Sequence, residues 1–165
     1  WENKKVTVTL TASKKPDVKI TLKDYYRILT GSDDFLTKSH VVYAFSLFEA
    51  LVLEARSIMF PNITSKLTTR ELIDFLKRKG KYSYNGDIFL LDNEEDEFNL
   101  ARQSRNCFIH NGNMPDDLWV EYYEKCRGKY DKNAKLIVRT EDVEKWYDML
   151  VEISKKIYDE IQKKY

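Results

Sequence analysis

A long apolar run in the first half of the chain constrains the fold most. Residues 39–60 read SHVVYAFSLFEALVLEARSIMF and contain neither Gly nor Pro. As an α-helix this run is about 33 Å long. It ends before Pro61, because the residue preceding a proline is pushed out of the helical region. Its apolar residues cover much more than one stripe, so we expect the helix to be buried on most sides, at a bundle centre or a subunit interface.

Four further segments have the spacing of apolar residues that predicts a helix: 70–79, 94–110, 116–126 and 141–164. Thr68 or Thr69 caps the first of them, and Glu71 completes a candidate capping box. The last segment opens on acids and closes on lysines, as the helix dipole favours. With 5 Gly and 3 Pro in 165 residues, the chain has few helix breakers.

The N-terminus has a different pattern. Apolar and polar residues alternate over residues 5–11 and again over 18–23, on either side of turn residues 13–17. Alternation with a period of two around a turn predicts a β-hairpin. We therefore expect a mainly α protein, with residues 1–34 as a short N-terminal β-hairpin extension and residues 35–165 as a helical domain.

Two shorter β-features are also predicted. Asn85-Gly86 is a strong signal for a tight turn between short extended segments. Residues 136–138 read Leu-Ile-Val, which favours a short strand.

The composition excludes some classes of protein and makes others less expected. The chain has 28 Lys and Arg and 27 Asp and Glu, a net charge of +1, which excludes a scaffold held to nucleic acid by bulk charge. Two cysteines form no disulfide framework, so we expect a reducing, cytoplasmic setting. No uncharged apolar run reaches the roughly 18 residues of a membrane span, so no membrane partner is expected. Because the sequence begins with Trp, a fragment of a larger protein is also an expectation.

The residues best suited to chemistry lie in one stretch, residues 102–112, RQSRNCFIHNG. It contains the guanidinium groups of Arg102 and Arg105, the amide of Asn106 and the imidazole of His110, at the predicted end of a helix. Imidazole gains or loses a proton near neutral pH, and guanidinium binds phosphate oxygens in pairs. This stretch is therefore the strongest candidate for a functional site.

The segment from Arg105-Asn106 to His110 resembles the Arg-X4–6-His motif of HEPN domains, in which a polar residue often follows the Arg. The long apolar helix before it and the helix that ends the chain also resemble that family. The resemblance covers about residues 35–165. It implies a HEPN-like bundle of four to five helices, with the N-terminal hairpin as an addition.

The resemblance also implies an activity. HEPN domains are typically metal-independent endoribonucleases that need no cofactor, act as homodimers with two motifs facing a shared cleft, and belong to defence or toxin–antitoxin systems with an antitoxin or regulatory partner. On this basis His110 is the general base or acid, Arg105 the phosphate and transition-state ligand, and Asn106 the residue that orients them. Arg102 is an accessory cation.

The spacing within the motif raises a geometric question. Arg105 and His110 are five residues apart, which is about 140° around a helix, so they do not share a face, whereas Asn106 and His110 do. Glu49 lies among apolar residues of the long helix, and a carboxylate there needs a partner. We expect Glu49 either to pair with Arg105 or Arg102 and fix the guanidinium, or to lie at a solvent edge.

Alternatives remain open at this point. The same fold can serve as a noncatalytic module that binds nucleotide, RNA or protein, or as a regulatory domain of a larger chain. Zinc binding by Cys107, His110 and Cys126 is disfavoured, because no Cys-x2-Cys pair and no fourth ligand are present. The basic runs at 77–81 and 125–132 are either solvated faces or surfaces that guide RNA.

Overall fold

The structure, a computed structural model, describes residues 5–8, 18–21, 33–111, 114–131, 136 and 138–164. These residues are mainly helical, as predicted, and form a bundle. Its helices are α1 (Asp33–Met59), α2 (Thr69–Leu76), α3 (Glu95–His110), α4 (Asp117–Arg127) and α5 (Thr140–Lys164). Single turns of 3-10 helix follow α2 at Gly80–Tyr82 and precede α3 at Asp92–Glu94. None of the described helices combines the length and apolar character that crossing a bilayer requires.

Helix ends differ from the predicted ones for local reasons. Helix α1 begins at Asp33 rather than at residue 39, since two leading acids suit the positive end of the helix dipole. Helix α2 stops at Leu76 rather than at residue 79, because Arg78 adopts a positive φ of 53° and leaves the helical region. Thr68 caps α2, with its hydroxyl accepting from the Glu71 amide at 3.3 Å.

Two strands are described near the N-terminus, β1 (Lys5–Val8) and β2 (Val18–Thr21). They pair antiparallel, with Val6 opposite Ile20 and Val8 opposite Val18. The turn of the predicted hairpin, residues 9–17, lies outside the described residues.

The other two β-predictions are not matched. Residues 81–91 contain no strand, although the chain bends at Asn85-Gly86. The amides of Phe89 and Leu90 donate to the carbonyl of Leu76 at 3.0 and 3.1 Å rather than across a hairpin. Leu136 and Val138 belong to no strand, and Ile137 lies outside the described residues.

Helix α3 is the centre of the bundle and packs on α1, α4 and α5. The ring of Phe98 lies 5.9 Å from Phe45 and 5.8 Å from Phe48, both on α1. On another face of α3, the indole of Trp119 in α4 donates to the Ser104 hydroxyl at 2.8 Å. These contacts hold the predicted motif, at the end of α3, between α1 and α4.

A second aromatic cluster fixes the position of α2. Phe60, at the end of α1, makes edge contacts with Phe75, Tyr82 and Tyr84, with centroid separations of 5.4 to 6.1 Å. Because α2 is anchored in this way, its first residue, Thr69, comes to lie against α3.

Helix α1 is buried on fewer sides than the sequence led us to expect. Val41, Phe45, Phe48 and Val52 face the core. Other large apolar side chains of the same helix are exposed to solvent, namely Tyr43, Leu47, Leu51 and Leu53. Apolar residues therefore extend around more of the circumference of α1 than the described bundle covers.

Candidate functional site

The guanidinium of Arg105 is held by partners on two helices. Its Nη2 donates to Oε2 of Glu49 in α1 at 2.9 Å, and its Nη1 donates to Oδ1 of the neighbouring Asn106 at 3.1 Å. The side chains of Arg105 and Glu49 are 18% and 27% exposed. Of the two expectations for Glu49, the structure therefore shows the ion pair with Arg105. The guanidinium is fixed in place and still accessible from solvent.

Asn106 belongs to a directional row of amide hydrogen bonds. Its Nδ2 donates to Oε1 of Gln103 at 2.8 Å, and Nε2 of Gln103 donates to Oδ2 of Asp116 at 3.3 Å. The same Oδ2 accepts from Asn111 at 3.2 Å. The row begins at a cation, Arg105, and ends at a carboxylate, so every amide dipole points the same way.

Asp116 also has a structural task. Its Oδ1 accepts from the backbone amide of Trp119 at 2.8 Å and so caps α4. Through its two oxygens Asp116 joins the start of α4 to the end of α3. Its two side-chain partners there, Gln103 and Asn111, precede and follow His110 in the chain. Neither Gln103 nor Asp116 was among the residues predicted for the site from the sequence. Two signals in the sequence could have indicated these residues. Asp116 immediately precedes a predicted helix, and Gln103 lies one turn before Asn106.

Arg102 lies beside this network, on the side of α2. It donates to the hydroxyl of Thr69 at the start of α2. Burial lowers the pKa of Arg102 below its ordinary value; Glu49 opposes this shift and Arg105 adds to it. A cavity of about 120 Å³ adjoins Arg102, lined also by Glu49, Leu53, Leu67, Thr68, Thr69 and Leu72.

His110 is placed differently from the other predicted site residues. It is exposed in the last turn of α3 and makes no hydrogen bond or ion pair with any residue the structure describes. The structure brings Glu49, Arg105 and Asn106 together, with Arg102 beside them. His110 lies one turn beyond Asn106. Arg105 and His110 therefore lie on different faces of α3, as their spacing indicated, and Asn106 lies between these two faces.

The two basic runs are largely occupied by structural contacts. Lys77 and Arg78 are each only 7% exposed, and Lys77 pairs with Asp92 and Glu95. In the second run, Arg127 pairs with Glu97 at 2.6 Å and Asp142 at 2.7 Å. These three cations therefore make contacts within the fold.

Neither cysteine has the environment of a reactive thiolate. Burial raises the pKa of Cys107, and it raises the pKa of Cys126 to about 11. Within the described ranges, no three side chains of His, Cys, Asp or Glu are grouped to hold a metal ion.

Comparison of the chain with protein-family models, with curated proteins and with solved structures finds no match.

Proposed function

We propose that this chain is a HEPN-type, metal-independent endoribonuclease. The observation that carries the proposal is the Arg105 guanidinium, which is fixed by Glu49 and Asn106 and still solvent-accessible, five residues before an exposed histidine in the last turn of α3. Phosphodiester chemistry on RNA requires a cation that is held in place and an acid–base group, and the end of α3 carries both.

The reaction follows from these side chains. His110 takes the proton of an RNA 2′-hydroxyl, and the 2′ oxygen forms a bond to the adjacent phosphorus while the bond to the 5′ oxygen breaks. The 5′ oxygen is protonated by water, so the products are a 2′,3′-cyclic phosphate and a 5′-hydroxyl. Each Nη of Arg105 has donated one hydrogen within the protein and keeps a second for the phosphate oxygens.

The remaining residues support this step. Glu49 sets the orientation of Arg105, and Asn106 holds it from the other side. Arg102 adds positive charge one turn away, where a neighbouring phosphate of the substrate is attracted. The biological setting we propose, an RNA-cleaving effector of defence or of a toxin–antitoxin pair in the cytoplasm, comes from the HEPN resemblance.

The test is cleavage of total RNA and of tRNA in the presence of EDTA. We expect the wild-type protein to cleave, His110→Ala and Arg105→Ala to lose cleavage, and His40→Ala to keep it. His40 is the matched control, since it is the other histidine of the chain, is exposed, and lies on α1 in a different groove. A substrate with one 2′-deoxy sugar at the cleaved position should resist. Wild-type activity in both Arg105→Ala and His110→Ala would refute the site.

One observation favours the second candidate, a noncatalytic binding module. His110 has no hydrogen-bond partner among the described residues that would orient it as a base. A binding module would retain RNA or nucleotide with Arg105 and show no cleavage in any variant. Binding measured by fluorescence anisotropy, alongside the cleavage assay, separates the two functions.

A further inference from the structure

An apolar groove runs between α1 and α5. It is lined by residues of both helices, and its large side chains are exposed: Tyr43 by 67%, Leu47 by 54%, Leu51 by 39%, Tyr147 by 59% and Tyr158 by 60%. At about 200 Å² for a tyrosine side chain, their exposed parts amount to about 500 Å². Monomeric proteins rarely expose a continuous apolar patch of this size without a function for it. This groove is therefore a contact surface.

The charged side chains of the groove are mostly acidic. The carboxylates of Glu144, Asp148 and Asp159 line it, against one ammonium group, that of Lys155. All four side chains are exposed, and together they carry a net charge of −2. A surface that is apolar and acidic selects an occupant that is apolar and basic. A second copy of the groove does not meet this condition, because it presents the same acids.

The N-terminal segment, residues 1–32, meets both conditions. It contains seven Lys and Arg against three Asp and Glu, a net charge of +4. Because the whole chain has a net charge of +1, residues 33–165 carry −3. In the described strands of this segment, Val6 pairs with Ile20, and Val8 with Val18. Successive residues of a strand alternate between its faces, so these four apolar positions share one face of the β1–β2 pair.

We propose that the N-terminal segment docks on the groove between α1 and α5 of the same chain, with the apolar face of the β1–β2 pair on the exposed tyrosines and leucines. A two-stranded sheet is marginally stable by itself and needs a surface on which its apolar face packs. The carboxylates of the groove attract the basic segment and favour this surface over others. The contact is independent of the proposed nuclease function.

The connection between the segment and the bundle is long enough for this contact. Residues 22–32 join Thr21, the last residue of β2, to Asp33, the first residue of α1. Such a connection spans at most about 40 Å, whereas Leu47 lies about 21 Å along α1 from Asp33. A tethered segment has a local concentration on the order of mM. It therefore occupies the groove ahead of other proteins at lower concentrations.

The groove and the Arg105 site lie on different sides of α1. Glu49 is two residues from both Leu47 and Leu51, which places it about 160° around the helix from each. The docked segment therefore leaves the Arg105–Glu49 pair uncovered. The two proposals can be tested separately, because one concerns the cover of the groove and the other concerns RNA cleavage.

Hydroxyl-radical footprinting of the full chain tests whether the groove is covered. We expect Tyr43 and Tyr147 to be oxidised severalfold more slowly in the wild type than in Glu144→Lys, which weakens the attraction of the groove for the basic segment. Glu152→Lys is the matched control, since it makes the same change at an exposed glutamate of α5 outside the groove. It should keep the wild-type protection. Leu118 on α4, exposed by 52%, should react equally in every sample.

Substitutions in β1 test the segment itself. Val6→Asp places a carboxylate on the apolar face of the strand pair, whereas Thr7→Asp makes the same change in charge on the other face. We expect Val6→Asp to increase the oxidation of Tyr43 and Tyr147 severalfold, and Thr7→Asp to leave most of the protection in place. Circular dichroism identifies any variant whose helices fail to form, and Glu144→Lys tests the same contact without a change in the segment.

Cross-linking with a carbodiimide identifies the occupant. The reagent joins a lysine amine to a neighbouring carboxylate as an amide and takes up the water that is lost. We expect cross-links within one chain between lysines of residues 1–32 and Glu144 or Asp148, at a yield that does not change on dilution. Glu152, which lies outside the groove, should form none of these cross-links.

Three results would overturn the proposal. Oxidation of Tyr43 and Tyr147 at the same rate in the wild type and in all variants would show that the groove is open. Protection that disappears on dilution would assign the groove to a second copy of the chain. Protection that Val6→Asp leaves unchanged would show that something other than the N-terminal strands covers the groove.

Discussion

Arg105 and Glu49 join two helices at positions 56 residues apart in the chain, with 2.9 Å between Nη2 and Oε2. Both side chains are partly shielded from water, so their interaction is screened less than that of a fully exposed pair. Arg105 would otherwise be a long side chain with many accessible rotamers. Glu49 thus limits the guanidinium to the side of α3 that faces α1, next to Asn106.

Glu49→Gln should reduce cleavage about tenfold with a small loss of stability, about 1 kcal/mol. Glutamine preserves the volume but removes the charge that orients Arg105. We expect the loss in kcat rather than in KM, if Arg105 acts mainly in the transition state. Single-turnover cleavage and thermal unfolding provide the measurements, and Glu54→Gln, an exposed position on the same helix, is the control. Equal activity of both variants would contradict a positioning role.

The substitution Asp116→Asn distinguishes the role of Asp116 as the cap of α4 from its role as acceptor in the row of amide hydrogen bonds. Asparagine caps a helix about as well as aspartate, so α4 should retain its cap on the Trp119 amide. Its Nδ2, however, cannot accept from Gln103 and Asn111, both of which donate to Oδ2 in the native protein. We expect a severalfold loss of cleavage with a stability change of about 1 kcal/mol. Asp117→Asn, in the exposed first turn of α4, should change neither measurement.

The helices could be predicted from the sequence because their causes are local. The contact of Glu49 with Arg105 was one of the alternatives that the sequence left open. Period, caps and Pro61 fix the approximate helix ends, and a carboxylate in an apolar helix has few possible partners. The row from Asn106 to Asp116 could not be predicted, because it depends on how α4 docks against α3. Only the bundle brings Gln103 and Asp116 within 3.3 Å.

Asn85-Gly86 shows where a strong local signal predicts the wrong structure. The sequence favours a hairpin turn, but the chain uses Gly86 to approach a buried guanidinium. A Cβ at Gly86 would lie 2.4 Å from Nη1 of Arg78. Arg78 lies over the rings of Tyr84 and Phe89, with its Cζ 4.2 and 4.4 Å from their centroids. Tertiary packing around one cation therefore outweighs the turn propensity.

Gly86→Ala should destabilise the protein by about 1–3 kcal/mol, because Arg78 cannot move away freely between two rings. For a chain of this size that lowers Tm by several degrees, on the order of 2–4 °C per kcal/mol. Thermal unfolding measures the effect. In an Arg78→Ala background the added methyl group has room, so its cost should largely disappear. An undiminished cost there would show that backbone conformation, and not the guanidinium, requires glycine.

The buried Glu97 cluster predicts how stability responds to acid. Burial alone would raise the pKa of the Glu97 carboxyl, but hydrogen bonds from Arg127, Lys145 and Trp146 outweigh it and lower the pKa to about 2, from an ordinary value of 4.5. The folded protein therefore binds this proton less readily than the unfolded chain. The stabilisation is fully present above about pH 4.5 and is lost as the pH falls towards 2.

Urea unfolding between pH 2.5 and 6 tests this prediction. The free energy of unfolding should fall by about 3 kcal/mol from this group alone as the pH drops through that window. Glu97→Gln should be less stable at neutral pH, since Arg127 and Lys145 lose their shared carboxylate. It should also lose less stability on acidification than the wild type. Glu121→Gln, a change at an exposed glutamate that pairs with Lys125 on α4, keeps the wild-type pH profile. An identical acid dependence in Glu97→Gln and wild type would show that other carboxylates control the transition.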